Sequence, residues 1–426
     1  MLTHIVAIFL TLFATVQEEQ PRPAAASGWT MTQREAVEMA LERSPELQVS
    51  VEQLRAVRTL IQQAREFPVT SFEFDFDQQE ELLRSGEAYF GFSQEFEYPT
   101  RRGLRIRLAR QDVETAEVEH SLVRWETALT VKMLYQRLAL AQRLVTLAGE
   151  NLRISEEMLH IAREKHEAGS VGRLEVLRAG VEAATSANEL RAQEQDERRV
   201  RMRVNYLLGR LPDVELITTP YRRGRPPEAS LEELKAAAWR SRLELRSLGS
   251  RQTAATLQRS LARSELYPDF SVGFSRHHLA GEPDTWDLVV GISIPIFGRA
   301  AVNGRIAEAE AIGRSLDAAE EAARCRIAME IESAFAEMLI LAERATRFRD
   351  EILVQAAEAF RLAQISYLEG EIGNLELLES QRTLQETTLS YAQAVFEYNL
   401  ALIDLERAVG AVIDWETGEP EAGSGF

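Results

Sequence analysis

"FEFDFD", residues 72–77, sets three phenylalanines against three acids in strict alternation. Successive side chains of an extended chain point to opposite faces, so Phe72, Phe74 and Phe76 share one side while Glu73, Asp75 and Asp77 share the other. One face of such a strand favours an apolar solvent and the other favours water. The pattern recurs. In "AYFGFSQEFEY" (88–98) Phe90, Phe92, Phe96 and Tyr98 fall on one parity, and in "WDLVVGISIPI" (286–296) Trp286, Leu288, Val290, Ile292, Ile294 and Ile296 do. The strands are therefore expected in two pairs, 70–78 with 88–98 and 269–277 with 286–296. Each run is about 9 to 11 residues, the length that crosses a bilayer when tilted. Trp286 and Tyr98 stand at strand ends, where an interfacial aromatic girdle belongs. Four strands do not close a barrel, and open edges in lipid leave backbone groups unpaired at several kcal/mol each, so a membrane reading requires further copies of the chain. The alternative is a water-soluble sheet whose apolar parity packs on helices.

Sliding the chain against itself reveals a duplication. "EAGSVGRLEVLRA" (167–179) lies over "LEGEIGNLELLES" (368–380) at an offset of 201, matching Gly169 to Gly370, Gly172 to Gly373, Leu174 to Leu375 and Glu175 to Glu376. The same offset carries Gly209 onto Gly410, and near the start of each half "SPELQVSVEQL" (44–54) lies over "RLELRSLGSRQ" (242–252). All 13 prolines fall outside 100–211 and 296–419, so each half holds a long stretch free of the strongest helix breaker. In the second stretch Leu316, Ala319, Ala323, Ile327, Ile331, Ala334, Met338, Leu341 and Ala345 recur at spacings of three and four, the period of an amphipathic helix. The glycine pairs 169/172 and 370/373 interrupt these stretches where a hairpin turns, near the middle of each. From Pro99 to Gly169, at about 1.5 Å per residue, the helix reaches about 100 Å. The resulting plan is a signal segment 1–26, a first repeat 27–211 with hairpin 101–210, a linker 212–229, a second repeat 230–412 with hairpin 298–410, and a flexible tail 413–426.

Composition excludes several functions. A net charge of −18 without an isolated basic stretch argues against nucleic acid. Cys325, the single cysteine, permits neither an intrachain disulfide nor a cysteine-built zinc site, and among alanines it reads as a small buried residue. Residues 5–16 (IVAIFLTLFATV) resemble an export signal cleaved after Val16 or Ala26, though no lysine or arginine precedes them. No cysteine follows to take a lipid anchor, and no later apolar run is long enough for a membrane helix. Six histidines form no HExxH motif, there is no phosphate-cradling glycine loop, and no cofactor or enzymatic activity is expected. His277 and His278, with Glu282 and Asp284, read as solvated loop residues rather than a metal site.

"REAVEMALERSPEL", "SLEELKAAAWRSRLEL", "YPDFSVGFS", "ISIPIFGR" and the two glycine-bearing tips, in this order and spacing, resemble the TolC-like outer-membrane efflux protein family over essentially the whole mature length. "FSQEFEYPTRRGLR" (92–105) is similar to the strand-to-helix junction of the heavy-metal (cobalt-zinc-cadmium) branch. The resemblance implies a mainly α fold with a membrane β-barrel part: a homotrimer whose pooled strands close a 12-stranded barrel in outer-membrane lipid, continuous with a periplasmic helical tube. It further implies a periplasmic adaptor and an inner-membrane transporter, expected to be proton-driven. By the same resemblance Glu376 and Glu379 fall at the aperture, where spacing i, i+3 puts both on one helix face and a threefold axis would stack them as carboxylate rings; Glu175 and Arg178 are their first-half counterparts. The tips, with Gly169, Val171, Gly172, Leu174, Gly370, Ile372, Gly373 and Leu375, are the expected adaptor-docking surface, and Phe72, Phe74, Phe76, Phe90, Phe92, Phe96, Trp286, Leu288, Val290, Ile292 and Ile294 the lipid-facing one. The expected function is a passive exit duct for small molecules or metal cations. A polypeptide-secretion conduit and an exported coiled-coil scaffold without a pore remain alternatives.

Overall fold

The computed structural model describes residues 29–78, 86–279, 282–294 and 298–413. The apolar run 5–16, both cleavage positions, Ile296 and the tail beyond 413 lie outside the described residues. Each half begins the same way. Helix α1 (Gln33–Arg43) starts at a capping box in which the Glu35 amide donates to Thr32 Oγ1 (3.2 Å) and the Thr32 amide donates to Glu35 Oε2 (2.8 Å). Its second-half counterpart, residues Leu231–Ser241, opens on the same box built from Ser230 and Glu233. Pro45, at the first turn of α2 (Pro45–Arg65), separates it from α1.

Strands β2 (Ser71–Gln78) and β3 (Gly86–Phe96) follow, then α3, an unbroken helix Pro99–Glu167. Its 69 residues, at about 1.5 Å each, span about 100 Å. Helix α4 (Arg173–Leu207) returns for only 35 residues, so the tip is not at the middle of the long stretch. The remaining flank of α3 is covered by α2, because the chain descends in two pieces and rises in one. After α4 comes β4 (Leu216–Thr218), which pairs in parallel with β1 (Trp29–Met31).

The second half runs α5 (Leu231–Ser241), α6 (Leu243–Ser264), β5 (Asp269–Leu279), β6 (Thr285–Ser293), α7 (Arg299–Arg347), α8 (Leu353–Glu369) and α9 (Asn374–Val409). A single π-helical turn, Phe348–Ile352, joins α7 to α8 where α3 has none. Each half buries its own core where three helices meet, α1, α3 and α4 in the first and α5, α7 and α9 in the second. Met31, Val37, Tyr135, Leu138, Val204 and Leu216 fill one, and Leu234, Ile327, Ile331, Met338, Tyr398 and Leu402 the other. Ala323, Ile327, Ile331, Met338 and Ala345 are buried at their helical spacing. Cys325 is exposed, contrary to the expectation of burial: two residues from Ala323 is about 200° around the helix, on the opposite face.

The four long strands form one antiparallel sheet in the order β2-β3-β5-β6, so the two halves join at β3 and β5. At its base "YPTRRGLR" acts as a clamp on helix ends. Arg101 donates to Asp269 Oδ2 (2.7 Å) and to the Ser264 carbonyl (3.1 Å) at the end of α6. Arg102 donates to the Arg65 carbonyl (3.0 Å), and Arg105 to those of Ala64 (3.2 Å) and Glu66 (2.7 Å), closing the end of α2. Cationic side chains there satisfy carbonyls that the helix leaves unpaired. Tyr98, expected at a strand end, instead precedes α3 and stacks on Tyr267 at 4.7 Å.

Candidate conduit surfaces

The register of the sheet gathers the alternating residues into rows. Phe72, Phe92, Phe274 and Leu288 stand opposite one another across the four strands, as do Phe74, Phe90, Arg276 and Trp286, while Phe96, Phe270 and Ile292 align across three. Phe72 and Phe92 pack at 5.4 Å, Phe74 and Phe90 at 5.0 Å, Phe274 and Trp286 at 5.2 Å. This face is apolar throughout its middle, and among the described residues no helix covers it: Phe74 is 62%, Leu288 71% and Val290 67% exposed. Ile294, just past β6, is also exposed; of Phe76 the structure gives only its pairing opposite Ala88. Phe270, Val272 and Phe274 belong to the face and were missed in the sequence reading, although "FSVGFS" alternates as plainly as the other strands.

The opposite face carries Glu73, Asp75, His277 and Asp287 among small residues such as Ser93, Gly91, Gly273 and Gly291. The small residues leave room for a sheet to curl toward that side. His277 Nε2 lies 3.4 Å from Asp287 Oδ2 on this face. His278 falls on the other parity and pairs through Nδ1 with Asp284 Oδ1 (2.7 Å), so the two histidines do not converge on one site. Strands β2 and β6 have no partner on their outer edges among the described residues.

At the far end of the helices the two hairpin tips have one backbone. Gly169 and Gly370 sit at φ 73° and 79°, the left-handed region that closes a helix, and the Ser170 and Glu371 amides reach back to the Lys165 and Ser366 carbonyls at 2.8 Å each. Gly172 and Gly373 cap the returning helices with ordinary extended φ. Leu174 and Leu375, 59% and 52% exposed, project from the two turns. Val171 and Ile372 are half-buried instead; Ile372 packs on a small core of Met158, Phe360, Tyr367 and Leu377 that joins the hairpins.

Contacts across that joint link residues about one repeat apart, so the hairpins lie side by side. Lys165 Nζ donates to the Tyr367 carbonyl (3.1 Å) and lies 3.7 Å from the ring centre, and Arg382 pairs with Glu182 at 2.5 Å. Burial, reinforced by the nearby Glu175 carboxylate, pushes the Tyr367 phenol above its ordinary range. Glu175 has one carboxylate oxygen buried in this joint without a hydrogen-bond donor among the described residues. Its second-half equivalent Glu376 is exposed and folds back toward Gly373, and Glu379 is exposed one turn on; Leu377 and Leu378 between them are buried. The two acids thus share the outward side of α9, whereas the Glu175 position points partly inward.

Among the described residues no helix is long and apolar enough to cross a membrane, and no cluster of three or more metal-ligating side chains occurs. Among known proteins, nodulation protein T of Rhizobium leguminosarum bv. trifolii is 24% identical over 290 residues, a match spanning 63% of this chain and 60% of that protein. The cobalt-zinc-cadmium resistance protein CzcC of Cupriavidus metallidurans is 24% identical over 403 residues, 92% of each. Among solved structures, the outer-membrane channel OprN superposes with a TM-score of 0.74 at 23% identity, covering 89% of both chains. The family model described as outer membrane efflux protein matches residues 36–210 and 236–411, one span in each half. With an uncovered apolar sheet face at one end of a long helical bundle, the chain belongs to the outer membrane efflux protein family, whose members are outer-membrane channels with their helices in the periplasm.

Proposed function

We propose that three copies of this chain assemble into a passive exit duct, docked through its tips to a periplasmic adaptor and an energised inner-membrane transporter. One observation carries the reading: a four-stranded sheet with one continuous apolar face exposed and both edges unpaired among the described residues, at the end of helices about 100 Å long. Backbone groups along such edges are costly in hydrocarbon, and joining β6 of one copy to β2 of the next satisfies them. The polar face then lines the lumen with Glu73, Asp75 and Asp287, which suits cations and water.

At the other end, Glu376 and Glu379 are the candidate aperture rings. Both are exposed, lie on one side of α9 and leave the apolar packing to Leu377 and Leu378. Gly169, Val171, Gly172 and Leu174, with Gly370, Ile372, Gly373 and Leu375, form the docking surface; Gly172 has open space around its Cα and an unstrained backbone, so nothing inside the chain demands a glycine there. The cobalt-zinc-cadmium resistance relative makes divalent metal cations the first cargo to test, with small organic molecules next.

Conductance of the purified protein in planar bilayers tests the duct. Cation-selective channels are expected, and Glu376→Ala with Glu379→Ala should widen conductance and weaken the preference for cations. Unchanged selectivity removes the aperture role, and recovery of the processed chain as a soluble monomer without amphiphile removes the duct.

A further inference from the structure

A cavity of about 630 Å³ opens between α3 and α9, walled by the strap 218–223 that follows β4 and by Arg349 of the π-helical turn. Small-molecule sites commonly occupy roughly 300–1,000 Å³. Its lining includes Arg143, Arg222, Arg223 and Arg349 and no aspartate or glutamate, in a chain of net charge −18. Arg349 is neutralised by Asp350, which receives two of its hydrogen bonds at 2.7 and 2.9 Å. Arg223 is fixed by neutral groups, donating to Thr346 Oγ1 (2.8 Å) and the Ala342 carbonyl (3.1 Å) with its guanidinium 4.8 Å from the Tyr398 ring centre, and it feels Asp350 only through space. Arg143 and Arg222 are exposed and form no ion pair among the described residues. Arg143 and Arg222 therefore bring two positive charges to the cavity without a counter-charge in its lining, and Arg223 adds a third that Asp350 offsets in part.

The walls are set in advance. Gln142 donates to the Leu216 carbonyl (2.7 Å) and accepts from the Thr218 amide and hydroxyl (3.0 and 2.8 Å), holding the start of the strap to α3. The Tyr221 hydroxyl donates to the Ala392 carbonyl (3.0 Å), and Asn399 Nδ2 donates to the Arg222 carbonyl (2.9 Å), holding its far end to α9. The segment read from the sequence as a linker is thus a strap pinned to both halves. Walls and an Arg223 guanidinium that are fixed before binding spare part of the ordering cost, and guanidinium forks match phosphate and carboxylate alike.

We propose that this cavity binds a small anion bearing phosphate or carboxylate groups, one per protomer, gripped by Arg143 and Arg222 over the fixed guanidinium of Arg223. The rings of Tyr221 and Tyr391 form the flank for an uncharged remainder of the ligand. Because α3, the strap and α9 all contribute, the bound anion ties the two hairpins together. The proposal does not depend on what passes along the duct.

Isothermal titration of the full-length protein in detergent, with sodium pyrophosphate and sodium citrate in parallel, tests it. Saturable binding near one anion per protomer is expected for at least one of the two, and which one binds identifies the headgroup. Affinity should fall at least about tenfold in Arg143→Gln/Arg222→Gln, since charge-assisted hydrogen bonds are the strong ones, and stay unchanged in Arg163→Gln, an exposed arginine near the first tip. If the double variant melts lower than the unmodified protein, Arg143→Gln alone should show the same direction. Absence of saturable binding by either anion, or equal affinity in the double variant, overturns the site.

Discussion

Asn205 and Glu406 occupy the same place in the two halves, four residues before the glycine that ends each return helix, and both are fully buried. They do opposite work. Asn205 Nδ2 donates to the carbonyls of Pro212 (3.0 Å) and Val214 (2.8 Å), whereas Glu406 Oε1 accepts from the Ile413 amide (2.9 Å) and Oε2 from the Lys132 ammonium (2.7 Å). The offset of 201 sets Pro212 opposite Ile413. Proline has no N–H, so an acceptor at 205 would find no amide there, and a donor to carbonyls takes its place. The backbone around both is common: Gly209 and Gly410 have φ 65° and 73°, and a Cβ at Gly209 would come within 2.8 Å of the Arg43 carbonyl oxygen. The halves agree wherever chain geometry leaves little choice and diverge where they touch each other.

The sheet should show the halves at their most equivalent, and its substitutions should do the most damage. Phe74→Arg in the first half and Val290→Arg in the second each place a cation on the apolar face, at about 2–4 kcal/mol per copy near a bilayer midplane, repeated in every copy of an assembly. Both should abolish a heat-resistant oligomer on gels and recovery in outer membranes, while Glu73→Arg on the opposite face should retain both. A Val290→Arg protein that assembles normally would show that this face does not meet hydrocarbon.

The next effect separates the halves. Lys132→Met leaves Glu406 buried without its cation, a loss of about 3–5 kcal/mol readable as a lower melting temperature. Adding Glu406→Gln removes the buried charge yet still accepts from the Ile413 amide, so the double variant should recover most of the loss. Asn205→Asp reverses a donor into an acceptor facing two carbonyls and should cost about 1–3 kcal/mol without any rescue from Lys132.

Much of this fold is legible in the sequence because its strongest signals are periodic. Alternation over FEFDFD and WDLVVGIS, the glycines at the tips and the absence of proline over 100–211 each reflect a local rule, and the duplication repeats it twice. What stays hidden depends on pairing across distance. Nothing in Lys132 or Glu406 by itself announces a partner 274 residues away, and nothing in "TPYRR" (219–223) shows that it is a strap bonded to two helices. The unequal hairpin arms, by contrast, follow from Gly169 lying well past the centre of 100–211, and only their completion by α2 needed the packing. Cys325 was misjudged because alanines surround it in sequence while the helix turns it away from the buried row.

Glycine substitutions at the tips sharpen the comparison further. Gly370→Ala and Gly169→Ala force a side chain into the left-handed region and should each cost about 1–2 kcal/mol, equally in both halves. Gly172→Ser sits at an extended cap position with open space, where serine can accept from the helix amides, so stability should hold or rise slightly. Weaker capture of an adaptor by Gly172→Ser, with an unchanged melting temperature, would assign that glycine to the partner rather than to the fold. Full capture would remove it from the docking surface.

The smallest effect concerns the capping boxes that open the two halves. Hydrogen bonds from the backbone and then the side chain of Thr32 hold the Glu35 carboxyl below its ordinary value, and Ser230 does the same for Glu233, with a small opposing push from burial. A carboxyl whose folded pKa lies below its unfolded one adds stability above the unfolded value, about 4.3 for glutamate, and that contribution is lost as pH falls through the folded value. Glu35→Gln and Glu233→Gln should therefore flatten the decline in melting temperature below about pH 4 to 5 by similar small amounts and leave its pH dependence near neutrality unchanged. Because both boxes use the same atoms in the same geometry, a large difference between the two variants would mean that the helices behind them, not the caps, govern how each half begins to unfold.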